Sequence, residues 1–486
     1  RYLLPLTQTA AFKKAVGDHR ALRNLIRNPK AGLSDPSKVV GQLKPILESL
    51  PRDVGAAAVY SIGRDYARKG QWLLTQETYL AMVSEYPLHP LTTSAYRWLI
   101  QHNTSSEVLR RYELQQYIKK GYAEWSKPRD LDSKQPTPRQ TPKGLPKGLR
   151  KSPIVKAPQP EVNGHVQTTF LTNQADLKKQ YLQSRTFAQK LWQMGSIFGR
   201  DPAILFSIQS MRRRVGEVSA TSKWYSNYAS IHMKSPWQRA AAAEDWLSHR
   251  KGIPPKTLVA CIHSSKKPYL DGKFDDPCWK QFPPATLQNA VRTTLQTSGP
   301  SAYADTTQTH QTEVRLAYDH AFLYVALRCT HPAKHHVPPA KVRPRDADLT
   351  GFDRVRIMLD LDRDYSTYFC FEVDQRGCAR EDCWGDAKWN PQWFLAMRST
   401  KTSWNVEAAI PLGQLTGQRI GPGDCWAGNV VRVLPRRGVQ ALSGPTGSKR
   451  QPQGMGLVLF EENPANVRQR SSTVVTPGDT LTAGRK

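Results

Sequence analysis

One short stretch concentrates side chains able to recognise a polar ligand. Trp384, Asp386, Trp389, Asn390 and Trp393 fall within ten residues of one another. An indole offers a flat apolar face on which the C–H face of a sugar ring can stack, and a neighbouring carboxylate or amide can hold its hydroxyls. The alternative is structural, with Trp389 and Trp393 plugging one end of a β-sandwich; the residues alone leave both readings open. Other groupings are less specific. Asp360, Asp362 and Asp364 alternate as at the start of a calcium loop. The loop's glycine position falls on Tyr365 and its bidentate glutamate position on Phe371, so a polar turn is expected. His331, His335 and His336 cluster in a Pro-rich loop and read as exposed. Gly444, Gly447 and Lys449 are too closely spaced for a phosphate-binding loop. Gly-x-Ser-x-Gly and His-Glu-x-x-His are both missing. Glycoside hydrolysis needs two carboxylates facing across a cleft, and no segment nominates such a pair. No catalytic residue, cofactor-binding residue or metal ligand is therefore assigned.

The elements that must position these residues change character along the chain. From about residue 256, short alternating runs bounded by Gly, Pro and Asp predict eight or more strands: 313–318, 323–328, 355–361, 368–373, 394–398, 404–410, 427–433 and 456–460. Strands this short and closely spaced predict an antiparallel sandwich with one face to the core and one to solvent. Before them, Ala58, Ile62, Tyr66, Leu73, Tyr79 and Val83 recur at helical spacing, with Gly63 suited to close helix packing and Gly70 to a helix stop. Gly63, Tyr66, Gly70, Trp72, Tyr79 and Pro87 together resemble one tetratricopeptide-type hairpin. Thr75 departs from the small alanine usual there and predicts a looser contact. Further helices are expected over 91–118, 177–198, 224–233 and 237–246, and Asp201-Pro202 reads as an N-cap and first-turn pair. Residues 126–160 carry eight prolines among basic residues and predict an extended cationic tether.

The cysteines and the charge divide the chain in the same place. All seven cysteines lie between Cys261 and Cys425. Cys378 and Cys383 are the only close pair and lack a second pair at zinc spacing, which leaves buried free thiols or a local disulfide. Of the formal net charge of +30, the first 260 residues hold +23 and residues 261–464 only +4. The basic excess therefore belongs to the helical half and its tether, not to the strand-rich half, and does not indicate a nucleic-acid-binding fold. No run of apolar residues is long enough to span a membrane. The chain begins at Arg1, so a fragment or processed product is expected.

In the strand-rich half the motifs acquire an order. Asp271-Gly272 leads through Phe274, Asp275 and Asp276 to Trp279. Tyr318-Asp319 precedes Leu323-Tyr324-Val325-Ala326. Asp353, Val355, Ile357, Leu359 and Asp360 follow on one strand, then Phe371-Glu372-Val373 with Gly377. Trp404, Val406, Glu407, Ala408, Ala409, Ile410 and Pro411 come next, and Trp426, Asn429 and Arg432 with Gly456 and Phe460 close the series. In this order they resemble the family 9 carbohydrate-binding modules over residues 256–462. The resemblance implies a β-sandwich that binds sugars, often appended to glycoside hydrolases or surface proteins, and in some members a structural Ca²⁺. It implies a location outside the cytoplasm: extracellular, periplasmic or at the cell surface. Relatives clamp a sugar between two Trp residues with acidic and amide help. Here Thr350, with Phe352 as the nearest aromatic, occupies one clamp position, Arg356 stands at the acidic position, and Ala441, Leu442 and Ser443 occupy the other clamp. Trp279 and Trp404 are expected in the core, and Glu407 as a structural hydrogen-bonding residue.

The expected architecture is an all-α repeat-like helical region followed by an all-β antiparallel sandwich. Its parts are a helical segment (1–125), a basic linker (126–165), a second helical segment (166–255), the sandwich (256–464) and a disordered tail (465–486). The expected function is non-catalytic binding of a poly- or oligosaccharide, in support of carbohydrate catabolism. Trp384, Asp386, Trp389, Asn390, Trp393, Phe352 and Arg356 are the candidate contacts. Protein partners are expected on the helical repeats; neither a membrane span nor a nucleic-acid partner is. The alternatives are a protein-interaction scaffold whose sugar site has degenerated and an accessory part of a larger glycoside hydrolase.

Overall fold

The computed structural model describes residues 51–125, 174–231, 235–289, 311–331, 337–344 and 346–463. The linker, the tail, His335 and His336 lie outside the described residues.

Eight helices of more than one turn precede the strands among these residues. They are α1 (Arg52–Arg68), α2 (Trp72–Glu85), α3 (Thr92–Thr104), α4 (Ser106–Trp125), α5 (Gln174–Met194), α6 (Pro202–Arg214), α7 (Val218–Ala229) and α8 (Pro236–His249). Gly63 faces Tyr79 so closely that a Cβ would overlap the ring, which is how α1 and α2 form a tight hairpin. Thr75 is fully buried, and its hydroxyl donates to the Gln71 carbonyl of its own helix at 3.1 Å. Asp201 caps α6 by accepting from the Ala203 N–H at 3.0 Å, with Pro202 in the first turn. Ala56, Val59, Met82, Tyr96 and Leu99 from the first block pack in one cluster with Tyr181, Phe187, Leu191, Ile204 and Met211 from the second. The helices on either side of the linker thus share a single core.

Among the described residues thirteen strands follow: β1 (Leu258–His263), β2 (Ala285–Thr286), β3 (Gln288–Asn289), β4 (Thr312–Tyr318), β5 (Phe322–Thr330), β6 (Arg354–Asp360), β7 (Phe369–Asp374), β8 (Ala379–Cys383), β9 (Phe394–Ser399), β10 (Ser403–Pro411), β11 (Cys425–Leu434), β12 (Gly438–Ala441) and β13 (Gly456–Glu461). The main sheet runs β8-β7-β6-β11-β13-β1-β4-β5-β10-β9. All eight expected strands are present, and the helical region is followed by a sandwich as expected. One difference is β1, which pairs in parallel with both β13 and β4, so the sheet is mixed. The sheet curls around one core in which Ile357, Phe369, Phe371, Leu327, Trp404, Val430 and Phe460 meet.

The expectation of a solvent-facing second face fails for β6, β7, β11 and β13, which are buried at every residue. The helical half covers most of this face, and the segment with Ser448 and Arg450 covers Arg356 and Glu372. Phe206 of α6, Tyr225 of α7 and Ala240 of α8 cover Met358, Cys370 and Ala427, and Trp246 covers Leu457 and Leu459. Sheet and helices thus form stacked layers, each burying the apolar side of the next. All seven cysteines are buried and free, so Cys378 and Cys383 do not bridge. Trp279 and Trp404 are core residues. Glu407 accepts from the Asp271 and Gly272 N–H groups (2.8 and 2.6 Å) and the Trp279 indole N–H (2.7 Å), tying β10 to the Asp-Gly turn.

Candidate functional site

The Trp-rich loop and the outer face of β6–β8 hold the candidate contacts, and the structure treats the two places differently. Trp384 stacks on Trp98 of α3 at 5.8 Å between centroids and meets Trp72 edge-on at 6.0 Å. Asp386 is buried in an ion pair with Arg111 of α4, whose guanidinium also lies 4.0 Å over the Trp72 ring. Gly70 presses against the Asp386 carboxylate, where any Cβ would overlap it. Trp389 is buried and stacks on Phe369 at 4.5 Å. Trp393 is half-buried, edge-on to Phe371, and donates its indole N–H to Glu381 at 3.2 Å. Asn390 is exposed. Trp384 and Asp386 are therefore occupied by the helical half, and the five residues do not converge on one open surface.

Next to this contact the turn after β6 docks into the helices. The Ser106 N–H at the start of α4 donates to Asp362 at 2.8 Å, and the Leu361 N–H donates back to Glu107 at 2.7 Å. Ser207 and Ser210 of α6 donate to the Asp364 carboxylate and the Asp362 carbonyl at 3.3 and 2.9 Å. Burial and the Asp362 charge push the Glu107 carboxyl up to about 7, and burial with mutual repulsion pushes Asp360 and Asp364 well up. Carboxylate oxygens of Glu107, Asp360 and Asp362 lie within 4.8 Å of one another. Glu107 and Asp360 accept on both oxygens from Leu361, Ser105, Thr367, Asp364 and Tyr365, which leaves only Asp362 Oδ1 without a donor. Ca²⁺ takes six to eight oxygens, so this set does not fit the structural ion of the family resemblance.

The other candidates lie where the helices stop covering the sheet. Arg356 on β6, Glu372 on β7 and Arg380 on β8 are direct cross-strand neighbours. Arg356 reaches Glu372 at 2.6 Å and Arg380 reaches it at 2.8 Å. Arg354 approaches at 3.6 Å, and Arg450, from the loop before β13, at 3.3 Å. Arg450 also pairs with Asp382 at 2.5 Å. Burial alone would raise the Glu372 carboxyl; Arg356, Arg380 and Arg450 outweigh it and hold the group down at about 2. Two aromatic rings contact arginines near the row, and one of them, Tyr368, is buried in the cluster that Phe206 and Tyr225 form with the sheet. Phe352 is half-buried with the Arg376 guanidinium 3.3 Å from its centroid, and Tyr368 lies 5.8 Å below Arg450. Of the family clamp positions, Thr350 is exposed and Leu442 is in the core.

Arg380, Glu372 and Arg450 were not read as contacts from the sequence. A hairpin register could have paired Arg356 with Glu372, because both stand on the same face of adjacent strands. Arg450 arrives from a loop some 70 residues further on, and no local pattern signals it.

No protein-family model matches the chain, and no curated protein is similar to it. Among solved structures, the C-terminal part is similar to a family 9 carbohydrate-binding module of Caldicellulosiruptor kristjanssonii. In complex with glucose, that module is 17% identical, with 42% of this chain and 96% of the module covered at a TM-score of 0.30. In complex with cellotriose, the values are 18%, 45%, 98% and 0.30. A proposed carbohydrate-binding protein of Bacteroides uniformis is 13% identical, with 42% of this chain and all of that one covered at a TM-score of 0.31.

Proposed function

We propose that this chain is a non-catalytic carbohydrate-binding protein whose ligand lies at the β8 edge, where Arg380 and Arg450 bring the otherwise buried row of β6, β7 and β8 to the surface. The observation that carries the reading is the row itself: Arg356, Glu372 and Arg380 in register, Arg380 and Arg450 partly exposed, and the half-buried Phe352 just before β6. Guanidinium and carboxylate groups fork onto vicinal hydroxyls, and aromatic edges take the apolar face of a pyranose. The ordered motifs from Asp271 to Phe460 support the same class. The Trp-rich loop contributes through Asn390 and Trp393 at most, since Trp384 and Asp386 serve the helical contact. The helices act as the scaffold that covers the rest of this face. We place the protein outside the cytoplasm and in the service of carbohydrate breakdown, on the family resemblance.

A glycan array probed with the full chain tests the reading, followed by titration of the best oligosaccharide against wild type and Glu372→Gln. Saturable binding weakened by the substitution is expected. A folded chain that binds no glycan would refute it.

A further inference from the structure

We infer that the sugar taken by this row is acidic, bearing a carboxylate as a hexuronic acid does. This rests on the binding reading above and narrows it. Arg354, Arg356, Arg380 and Arg450 gather around Glu372 and Asp382, with the Asp348 carboxylate also acting on Arg354 and Arg380, so four guanidiniums face three carboxylates and one positive charge remains in excess. That excess stands within a half of the protein whose overall charge is close to balance, so it is local. Neither the Arg354 Nε nor the Arg380 Nε has a hydrogen-bond partner. Like charges held this close cost energy unless an anion offsets them.

Glu372 shows what the cluster is shaped to hold. Arg356 and Arg450 reach one of its oxygens and Arg354 and Arg380 the other, so the guanidiniums already converge on a planar carboxylate. The side chains of Arg380 and Arg450 are 34% and 21% exposed, which leaves their outer edges open to a second carboxylate arriving from solvent. Arginine suits this task because its fork matches the two oxygens of a carboxylate. The edge strand β8 bounds the row on one side, so a chain-like ligand can run past it. The charge excess is small, and the recognition is therefore of single carboxylates placed along a sugar chain rather than of a dense polyanion.

The test titrates the full chain with four probes: a galacturonic acid oligomer, the same oligomer with its carboxyls reduced to alcohols, a sulfated glucan and a DNA oligonucleotide. Wild type should bind the uronate oligomer about tenfold or more tighter than the reduced one. Arg380→Gln should erase most of that preference and Arg380→Lys should restore part of it, while the thermal unfolding temperature confirms a folded chain. Equal binding of the acidic and reduced oligomers would overturn the inference and leave the carbohydrate reading intact. Failure of every sugar probe on a folded chain would overturn both. Tighter binding of the sulfated glucan or the oligonucleotide, or a uronate preference untouched by Arg380→Gln, would show that charge density or the basic helical half is responsible, and would also overturn it.

Discussion

Replacing Glu107 with glutamine should make the protein more stable at alkaline pH and change it little in acid. Glu107 stands on α4 and is fully buried against the turn after β6, among Asp360, Asp362 and Asp364. Burial and the Asp362 charge raise its carboxyl from 4.5 to about 7. In the unfolded chain it ionises near its ordinary value. Between those two pH values the unfolded state releases a proton that the folded state keeps, so stability falls as pH rises and levels off above about 7. The shift corresponds to about 3 kcal/mol at roughly 1.4 kcal/mol per pH unit. Glutamine carries no charge and fits the same partners: its carbonyl can accept from the Leu361 N–H, and its amide can donate to the Ser105 and Thr367 hydroxyls.

Urea unfolding of wild type and Glu107→Gln, followed by tryptophan fluorescence from pH 5 to 8, measures this directly. The two proteins should agree within about 1 kcal/mol at pH 5, and the variant should lead by about 2–3 kcal/mol at pH 8. Asp360 and Asp364 are shifted in the same direction, so wild type retains a further slope that the variant shares. Only the difference between the curves reports on Glu107. A difference that stays constant with pH would refute the reasoning, as would a variant that is the weaker protein at pH 8.

Three further perturbations probe the contacts that hold the halves together and close the sandwich. Gly70→Ala puts a Cβ onto the Asp386 carboxylate at a residue with φ of 64°, so a loss of at least about 2 kcal/mol is expected in thermal or urea unfolding; an unchanged midpoint would count against the Asp386–Arg111 contact. Glu407→Gln presents an amide either to the Asp271 and Gly272 N–H groups or to the Trp279 indole, and should cost about 2–4 kcal/mol by urea titration; a neutral result would remove Glu407 as the anchor of the Asp-Gly turn. Arg432 is fully buried and forks Asp353 at 2.9 and 2.6 Å, so Arg432→Lys should destabilise by about 3 kcal/mol or more, and calorimetry showing wild-type stability would contradict that account.

The sandwich was readable because its inner face obeys a local rule. Val355, Ile357 and Leu359 alternate along β6, and Trp404, Val406, Ala408 and Ile410 along β10, so each strand announces itself within a few residues. The outer face could not be read that way. Met358 and Cys370 sit between Arg356, Asp360 and Glu372, a mixture that looks like a solvated surface; only the distant Phe206, Tyr225 and Ala240 reveal that it is covered. The Trp-rich loop stayed open to two readings for the same reason. Trp384 and Asp386 have the composition of a ligand platform, and their partners Trp98, Gly70 and Arg111 lie some 270 to 320 residues away, where no periodicity links them. The parallel pairing of β1 is likewise non-local, since it depends on β13 nearly 200 residues later.

The position of the helices narrows where a ligand can sit. An isolated sandwich would offer the whole outer face of β6, β7 and β11. Here α6, α7 and α8 seal the end that carries Met358, Cys370 and Ala427, and α3 and α4 take Trp384 and Asp386. At the end that carries Arg354, Arg356 and Glu372 these side chains are buried as well, and Arg380 and Arg450 reach solvent at the β8 edge. The polar residues of that face divide accordingly. Under the helices, Glu107, Asp360 and Asp364 have every carboxylate oxygen engaged by a donor within the protein, and Asp362 has one oxygen engaged and one without a donor. Those beyond the helices hold an excess of guanidinium that the protein itself does not balance. Closure on one side and excess charge on the other follow from one arrangement, in which a basic helical half buries the apolar part of a nearly neutral sheet and leaves Arg380 and Arg450 partly exposed at its edge.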